Sequence, residues 1–207
     1  MIPLISIPKK VVLASASPRR KELLTRMNLS FTVFPSHAEE SGDELNSLSA
    51  SDQACVLAAR KAEDAASRLN QDCLVIGADT IVVKDGYKLG KPQNQEQGAA
   101  MLQFLQGGWH FVYTGVALID RKINYRDTAW ESTTVEMMKL TDDEIKRYTD
   151  SGEYRDKAGG YAIQGLAAAF IPGIEGCYFN VVGLPVHLLY VMLQKYLSFL
   201  DGRQSGY

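Results

Sequence analysis

The amino-acid sequence predicts an α/β fold built on a mixed sheet. In the first half of the chain, short apolar segments alternate with segments of helical periodicity. In the second half, strand-like segments follow one another in pairs, as hairpins do. No linker separates the halves, so we expect a single domain over residues 1–207 whose active site lies in a cleft between two lobes.

The first half begins with a strand and a helix. Residues 11–14 predict a short buried strand, and Ser17 followed by Pro18 is a typical helix start, which predicts a helix to about Met27. Further along, turn signals and apolar spacing predict a strand at 31–34, a loop at 35–48, a helix at about 50–69, a strand at 73–76 that extends through 83, and a hairpin turn at Asp85–Gly86.

The second half is delimited by helix caps and glycines. Thr141 and Glu144 form a capping box, and Gly152 ends the helix that it opens. The remaining segments predict a helix at 94–106, paired strands at 111–119 and 128–138, short strands at 167–171 and 178–182, and a final helix at 185–200.

Composition and charge exclude several classes of protein. Of the 207 residues, 46% are apolar and 22% are charged, which is globular usage and excludes a mostly disordered chain. The net charge of −2 argues against a nucleic-acid coat and against a polybasic membrane binder. Residues 1–30 nevertheless carry +5, which leaves −7 on the remainder. Such a basic segment indicates either a local anion site or a solvated helix face.

The cysteines and the apolar segments indicate a cytoplasmic protein. The cysteines are widely spaced and form no C-x-x-C pair: Cys55, Cys73 and Cys177. This spacing favours reduced, mostly buried thiols over a zinc site or a disulfide framework. The start of the chain is unlike a signal peptide, because its charges follow the apolar stretch and prolines interrupt it. We therefore expect no membrane partner and no nucleic-acid partner.

The segment ASASPRR, residues 14–20, carries the strongest local signal for a ligand. It lies between the first predicted strand and helix, where small residues let the backbone approach a ligand and the helix start offers free N–H groups. Arg19 and Arg20 add bidentate anion donors. The pattern indicates a phosphate or polyphosphate site, although it is not a Walker P-loop. The alternative is a capped helix with two surface arginines.

Carboxylates and lysines elsewhere in the chain suit the same chemistry. Asp79 follows an apolar strand, a position from which it would hold Mg²⁺ or orient a water, or merely start a turn. A polar loop offers Glu39 and Glu40 as a second source of carboxylate. Lys61 lies on the long helix and Lys91 follows the hairpin. Glu39, Glu40 and Lys61 also have a plain interpretation as solvated side chains, and Lys91 as part of a surface turn.

A glycine-rich segment, DKAGGYAIQG at 156–165, completes the set. Gln164 in this segment would read the edge of a base with its amide, unless the segment is only a tight structural loop. No G-x-S-x-G motif and no cysteine–histidine pair offers a nucleophile. Basic residues, carboxylates and glycine-rich loops together favour metal-assisted attack of water on a phosphoanhydride.

These motifs resemble the Maf family, the septum-formation-inhibitor-like nucleoside triphosphate pyrophosphatases. The segments VLASASPRRKELL, GADTIV, GKP, GEYRDKAGGYAIQG and NVVGLP occur in the family's order between about residues 10 and 193. The resemblance implies a long curved mixed sheet flanked by helices, related to inosine-triphosphate pyrophosphatases, and often a homodimer. It also implies hydrolysis of nucleoside triphosphates to the monophosphate and pyrophosphate with Mg²⁺, Mn²⁺ or another divalent metal.

By motif, the resemblance implies a set of site residues: Ser15, Arg19, Arg20, Glu40, Lys61, Asp79, Lys91 and Gln164. In that interpretation the arginines and lysines neutralise the triphosphate and the leaving pyrophosphate. Glu40 and Asp79 hold the metal, and Asp79 positions or deprotonates the attacking water. Glu39 is the alternative to Glu40, because the register of this loop is variable.

The glycine-rich segment also carries the substrate prediction. Its DKAG-x-Y-x-IQG form resembles the subgroup that acts on dTTP and UTP, with Gln164 helping to select a pyrimidine. Tyr154 and Ala162 depart from the family's usual Pro and Gly. Two other functions stay open: a pyrophosphatase for non-standard purine or methylated nucleotides, and a nucleotide-binding regulator of cell division with negligible turnover.

Overall fold

The computed structural model describes residues 4–69 and 71–204. Within these residues the strands are β1 (Lys10–Leu13), β2 (Thr32–Val33), β3 (Cys73–Lys84), β4 (Tyr87–Leu89), β5 (Gly108–Asp120), β6 (Tyr125–Met137) and β7 (Gly173–Gly176). The helices are α1 (Pro18–Arg26), α2 (Asp43–Asn46), α3 (Ala50–Leu69), α4 (Gln95–Leu105), α5 (Asp142–Asp150), α6 (Tyr178–Val182) and α7 (Val186–Gln204).

The strands form one mixed sheet in the order β2-β1-β3-β5-β6-β7, with β4 paired to β3. Strand β1 runs parallel to both neighbours, with Leu13 opposite Val33 of β2 and Ile76 of β3. Strands β3 and β4 are antiparallel, as are β6 and β7. The structure confirms the predicted α/β fold with a mixed sheet flanked by helices.

The chain divides into two compact units. The first consists of the residues up to Asp79, Thr114–Glu131 and those from Gly183 onward, and the second consists of Thr80–Tyr113 and Ser132–Val182. Strands β3, β5 and β6 each contribute residues to both units. The single domain over residues 1–207 and the cleft that the sequence suggests stay predictions.

In the first unit, helix α3 lies against strands β3 and β5 at unusually short range. A Cβ added at Gly77 would lie 2.1 Å from the carbonyl oxygen of Ala58, and one added at Gly115 would lie 2.3 Å from that of Ala54. Ala54 and Ala58 are fully buried. Because glycine and alanine alone leave the backbones this close, the small residues of α3 and of the strands fix where the helix lies.

The buried carboxylate of Asp120 links three segments of the first unit. Asp120 is fully buried, and its Oδ2 accepts hydrogen bonds from Lys9 Nζ and from Tyr196 OH, each at 2.7 Å. Its Oδ1 accepts from the backbone N–H of Lys122 at 3.1 Å. The charge of Asp120 is therefore paired and hydrogen-bonded, as a buried carboxylate requires. The contacts link the segment before β1, the end of β5 and helix α7.

In the second unit, side chains and a glycine stabilise the ends of helices α4 and α5. The Lys84 ammonium donates to the carbonyl oxygens of Phe104 and Leu105, at the C-terminus of α4, where a cation complements the helix dipole. At the start of α5, the predicted capping box of Thr141 and Glu144 is present in full. The predicted stop is confirmed as well, because Gly152 follows α5 with a φ of +75°.

Two predicted strands are wrong. Residues 166–170 form a 3₁₀ turn, and residues 178–182 form helix α6. The run Ala167–Ala169 has little strand preference, which explains the first error. In α6, the fully buried Asn180 donates its amide to the carbonyl of Val112 and to Thr133 Oγ1, and these distant partners override the apolar local pattern.

The other predicted segments agree with the structure within a few residues, whereas strand β7 (Gly173–Gly176) was not predicted. Helix α3 spans the predicted residues, and the loop expected at 35–48 contains only the single turn of α2. The three cysteines are free thiols, of which Cys73 is buried and the other two are half-buried. Over residues 4–69 and 71–204, no helix is long and apolar enough to cross a bilayer.

Candidate active site

The first unit brings one lysine against two carboxylates. Lys61 Nζ lies 2.5 Å from Asp79 Oδ1 and 2.8 Å from Glu40 Oε1. Lys61 and Asp79 are each only 7% exposed, whereas Glu40 is exposed. Sequence analysis named Lys61 as a site residue and left a solvated surface side chain as the alternative. The structure places it inside, on the face of α3 that meets β3. A charged group buried to this degree needs such partners.

Helix α3 and strand β3 determine how these groups meet. Asp79 follows the fully buried Ala78, at the point where β3 passes from the first unit to the second. Lys61 lies one turn along α3 from Ala58, the residue that contacts Gly77. The short distance between helix and strand thus brings the ammonium and the carboxylate to hydrogen-bonding range.

The ASASPRR segment forms a second cluster in the same unit. Ser15 is buried, and its Oγ accepts hydrogen bonds from the backbone N–H of Ser17 at 3.2 Å and from Arg20 Nη1 at 3.3 Å. Arg20 Nε donates to the carbonyl of Gly183 at 2.8 Å. Ser15 and Gly183 thereby fix the orientation of the Arg20 guanidinium, a donor group suited to phosphate.

The start of α1 suits an anion. Ser17 occupies the N-cap position and Pro18 the first turn, as the sequence predicts, but the Ser17 side chain does not cap the helix. The Ser17 hydroxyl therefore does not occupy the first-turn N–H groups. Such groups, together with the positive end of the helix dipole, bind phosphates.

Electrostatics connect the two clusters. Burial lowers the pKa of the Arg20 guanidinium, the charges of Asp79 and Glu40 raise it, and the like charge of Arg19 lowers it. Arginine stays protonated under all these influences. The cations of the two clusters outnumber their carboxylates by one, which leaves a net positive charge for an anionic ligand. These groups are Arg19, Arg20 and Lys61 against Asp79 and Glu40.

The other two predicted site residues lie in the second unit. Lys91 is exposed, between β4 and α4, and its neighbour Gly90 accepts a hydrogen bond from Gly159 N at 3.0 Å. This bond joins the GKP segment to the glycine-rich segment. Gln164 is exposed in a turn closed by the hydrogen bond from Gly165 N to the Ala162 carbonyl, also at 3.0 Å. The structure brings six of the predicted residues together in the first unit, and joint action with Lys91 and Gln164 stays a prediction.

The turn that carries Gln164 depends on two residues that sequence analysis missed. Glu153 Oε2 accepts a hydrogen bond from Leu166 N at 3.0 Å, and Tyr148 OH accepts one from Ala162 N at 3.3 Å. Tyr148 belongs to α5, and Glu153 lies in the GEYR segment after it. Glu153 lies in a motif that resembles the family but was given no role, and Tyr148 lies outside the quoted motifs, so only the folded structure reveals the contacts.

The donor set of the first unit fits a divalent cation such as Mg²⁺. Glu40 and Asp79 supply carboxylate oxygens that lie close to each other, because each forms an ion pair with Lys61 Nζ. Hard cations prefer such oxygen ligands, and Mg²⁺ is commonly held by one or two carboxylates plus phosphate oxygens. The described part of the chain contains no cluster of three or more histidine, cysteine, aspartate or glutamate side chains suited to a metal. Further ligands would have to come from substrate and water.

Comparison with protein families gives one clear match. A family model described as Maf-like protein matches residues 10–196. The matched range contains every residue of both clusters and both predicted site residues of the second unit.

Individual relatives cover nearly the whole chain. A dTTP/UTP pyrophosphatase of Pelotomaculum thermopropionicum is 48% identical over 188 residues, which cover 91% of this chain and 97% of that protein. A dTTP/UTP pyrophosphatase of Desulforamulus reducens is 49% identical over 181 residues, covering 87% and 93%. A protein of the same name from Caldicellulosiruptor bescii is 43% identical over 190 residues, covering 90% and 94%.

A solved structure is similar over part of the chain. It is the nucleoside-triphosphatase, or dITP/XTP pyrophosphatase, of Mycobacterium abscessus. The superposition has a TM-score of 0.41 and 14% sequence identity, and covers 62% of this chain and 74% of that one.

Proposed function

The chain belongs to the family of Maf-like proteins, and from this membership we propose that it is a pyrophosphatase acting on dTTP and UTP. It hydrolyses the bond between the α- and β-phosphates, releasing the nucleoside monophosphate and pyrophosphate. The relatives named dTTP/UTP pyrophosphatase, at 43–49% identity over most of the chain, support this substrate class. The contact of Lys61 with both Asp79 and Glu40 is the structural feature that most directly supports this reaction.

The cations of the first unit bind the triphosphate. Arg20 is held by Ser15 and Gly183 in one orientation, so little side-chain entropy is lost when it binds phosphate oxygens. Arg19 and the first-turn N–H groups of α1 add donors at the same place. In the second unit, Lys91 provides a further cation for the leaving pyrophosphate. Charge on the leaving group grows as the bond breaks, and fixed cations stabilise it.

Asp79 acts as the general base that activates the attacking water. Its carboxylate is nearly buried and is held by Lys61, so its position is fixed before substrate arrives. An ionised carboxylate in this position accepts a proton from the water that attacks the α-phosphorus. Lys61 holds this carboxylate by a charge-assisted hydrogen bond and adds positive charge near the phosphates.

Glu40 and Asp79 would also hold a divalent cation, Mg²⁺ or Mn²⁺. When bound, the cation supplies charge neutralisation on the phosphate oxygens and acidifies water. Glu40 is the acid that contacts Lys61, and this contact supports it over Glu39. Gln164 in the second unit selects the pyrimidine through its amide, which offers one acceptor and two donor hydrogens.

We further propose that the protein acts in the cytoplasm as a homodimer. The three free thiols suit a reducing compartment. Exposed aromatic side chains, among them Trp109 and Phe111 on β5 of the second unit, offer apolar area to a second copy. Light scattering during size-exclusion chromatography measures the mass directly, and a monomer at micromolar concentration would contradict the dimer.

The proposed activity is tested by measuring pyrophosphate release from a panel of triphosphates. The panel contains dTTP, UTP, dGTP, ITP and 7-methyl-GTP, each with Mg²⁺ and with EDTA. We expect metal-dependent release that is fastest with dTTP or UTP. Faster release from a purine would keep the chemistry and reject the pyrimidine preference. Nucleotide binding without release from any triphosphate would indicate a binding regulator.

A further inference from the structure

Two side chains of the second unit hold the turn around Gln164 from both sides. The backbone N–H of Ala162, two residues before Gln164, donates to Tyr148 OH at 3.3 Å. The N–H of Leu166, two residues after it, donates to Glu153 Oε2 at 3.0 Å. Tyr148 OH in turn donates to Glu153 Oε1 at 3.2 Å. One connected set of hydrogen bonds therefore spans the turn.

The donors and acceptors of Tyr148 and Glu153 are matched to one another in this network. Tyr148 has a single O–H hydrogen, which it donates to Glu153, and its oxygen lone pairs accept from Ala162 N. Glu153 uses one carboxylate oxygen for the hydroxyl and the other for Leu166 N. In this geometry each carboxylate oxygen of Glu153 accepts from a different donor, so replacing either oxygen with an N–H donor opposes one of the two bonds.

Packing against Gly165 places the Glu153 carboxylate directly beside the turn. A Cβ added at Gly165 would lie 2.2 Å from Glu153 Oε1. Gly165 has a φ of −111°, which any residue adopts, so a side chain here would displace the Glu153 carboxylate rather than strain the backbone. The ring of Tyr148 is 2% exposed and packs edge-on against Phe170, which fixes the hydroxyl.

We propose that Glu153 and Tyr148 are specificity-positioning residues, which hold the Gln164 turn in the conformation that selects the base. This inference rests on the proposed function. Gln164 itself is exposed, and the hydrogen bonds of this network hold the residues on both sides of it. A base-reading amide must be aimed within a few tenths of an ångström, so loss of the supporting bonds lowers discrimination between bases more than it lowers the rate of the chemical step.

The test compares Glu153→Gln with the matched control Glu175→Gln, an exposed glutamate on β7 of the same unit. Glutamine keeps the size of the side chain but replaces one acceptor oxygen with a donor. The ratio of kcat/KM for dTTP to kcat/KM for dGTP should fall about tenfold in Glu153→Gln. The KM for dTTP should rise, and kcat should stay within about twofold. Glu175→Gln should behave as the wild type.

Tyr148→Phe is the second variant, because it removes the hydroxyl and keeps the buried ring. It should reduce the same ratio, and the double variant should lose less than the two single losses combined, since both belong to one network. In a Gln164→Ala background, Glu153→Gln should leave the ratio unchanged, because the positioned group is gone. A merely structural role for Glu153 would instead lower activity on both nucleotides equally in either background.

The outcomes separate this inference from the proposed function. If the wild type releases pyrophosphate with a pyrimidine preference and the two variants keep that preference, the positioning role is wrong and the function stands. If the wild type releases no pyrophosphate from any triphosphate, both are wrong. A fall in the ratio that vanishes in the Gln164→Ala background supports the positioning role.

Discussion

Gly77 of β3 lies so close to Ala58 of α3 that a Cβ on the glycine would stand 2.1 Å from the Ala58 carbonyl oxygen. Asp79 is two residues beyond this contact on the strand, and Lys61 is three residues beyond it on the helix. The contact therefore sets the 2.5 Å separation of Lys61 Nζ and Asp79 Oδ1. The geometry of the candidate site therefore depends on how closely the backbone of α3 packs on the backbone of β3.

Replacing Gly77 with alanine should disturb both stability and activity. The new methyl group meets a backbone atom, which cannot rotate away, so α3 must shift from β3. We expect a loss of about 2–3 kcal/mol in the free energy of unfolding and a lower kcat as Lys61 separates from Asp79. Urea denaturation and pyrophosphate release measure the two effects.

Gly202→Ala is the matched control for that substitution. Nothing lies within 4 Å of a Cβ at Gly202, which is exposed near the end of α7. Alanine there should leave activity unchanged and should not destabilise the protein, because alanine is the better helix former. A Gly77→Ala variant as stable and as active as Gly202→Ala would show that the short contact does not set the site.

Asp79→Asn should lower kcat at least ~100-fold, the usual scale for the loss of a positioned general base. Asparagine keeps the size of the side chain but neither accepts a proton at neutral pH nor carries charge for a cation. The control is Asp85→Asn, in the exposed β3–β4 turn with a φ of +49°, which asparagine also adopts. Near-wild-type turnover in Asp79→Asn would rule out Asp79 as the group that activates water.

Local signals predicted most of the fold. The capping box at Thr141 and the Asp85–Gly86 turn each involve neighbours in sequence, and both occur where the pattern predicts them. The error at 167–171 overlooked the low strand preference of three consecutive alanines, whereas the error at 178–182 falls where distant partners decide. Asn180, for example, bonds to Val112 and Thr133, and no window of sequence around residue 180 contains these two residues.

The site was predictable only in part, for the same reason. Motif order identified Lys61 and Asp79 individually, but spacing along the chain left the lysine as a solvated side chain, because its burial depends on how closely α3 meets β3. The choice between Glu39 and Glu40 depends on a loop whose register carries no periodic signal. The role of Glu153 was invisible for a further reason, since one of its partners is the backbone N–H of Leu166, and every sequence contains such groups.

Lys61→Met should destabilise the protein by about 3 kcal/mol, because it leaves the nearly buried Asp79 carboxylate without its cation. The double variant Lys61→Met/Asp79→Asn should regain much of that stability, since no unpaired buried charge remains, and should stay inactive. Urea denaturation of the two single variants and the double variant gives the coupling energy directly.

Lys146→Met is the comparison for the lysine. Lys146 pairs with Asp150 on α5, where both side chains are largely exposed, so its loss should cost less than about 1 kcal/mol. Equal costs at the two lysines would mean that Lys61 contributes no more than a surface ion pair. Stability restored together with activity in the double variant would contradict the catalytic role of Asp79.

Stability should also fall as the pH is lowered below 6.5, through His110 in the second unit. This histidine is fully buried on β5, and its Nε2 lies 2.7 Å from Tyr161 OH. Burial, followed by the charge of Lys84, lowers the pKa of His110 from 6.5 to about 4. Between these two values the unfolded chain binds a proton that the folded chain does not, so acid favours unfolding.

The free energy of unfolding that depends on neutral His110 is present in full above pH 6.5. It is lost progressively down to about pH 4, and the total loss is about 3 kcal/mol. His110→Gln, which keeps a hydrogen-bonding group near Tyr161, should flatten this part of the stability profile. His187→Gln, at an exposed histidine of α7, should keep the wild-type slope. Urea midpoints at pH 7.5, 6.0 and 4.5 measure the three profiles. If all three fall in parallel, His110 titrates alike in the folded and unfolded chains, and the acid sensitivity comes from other groups.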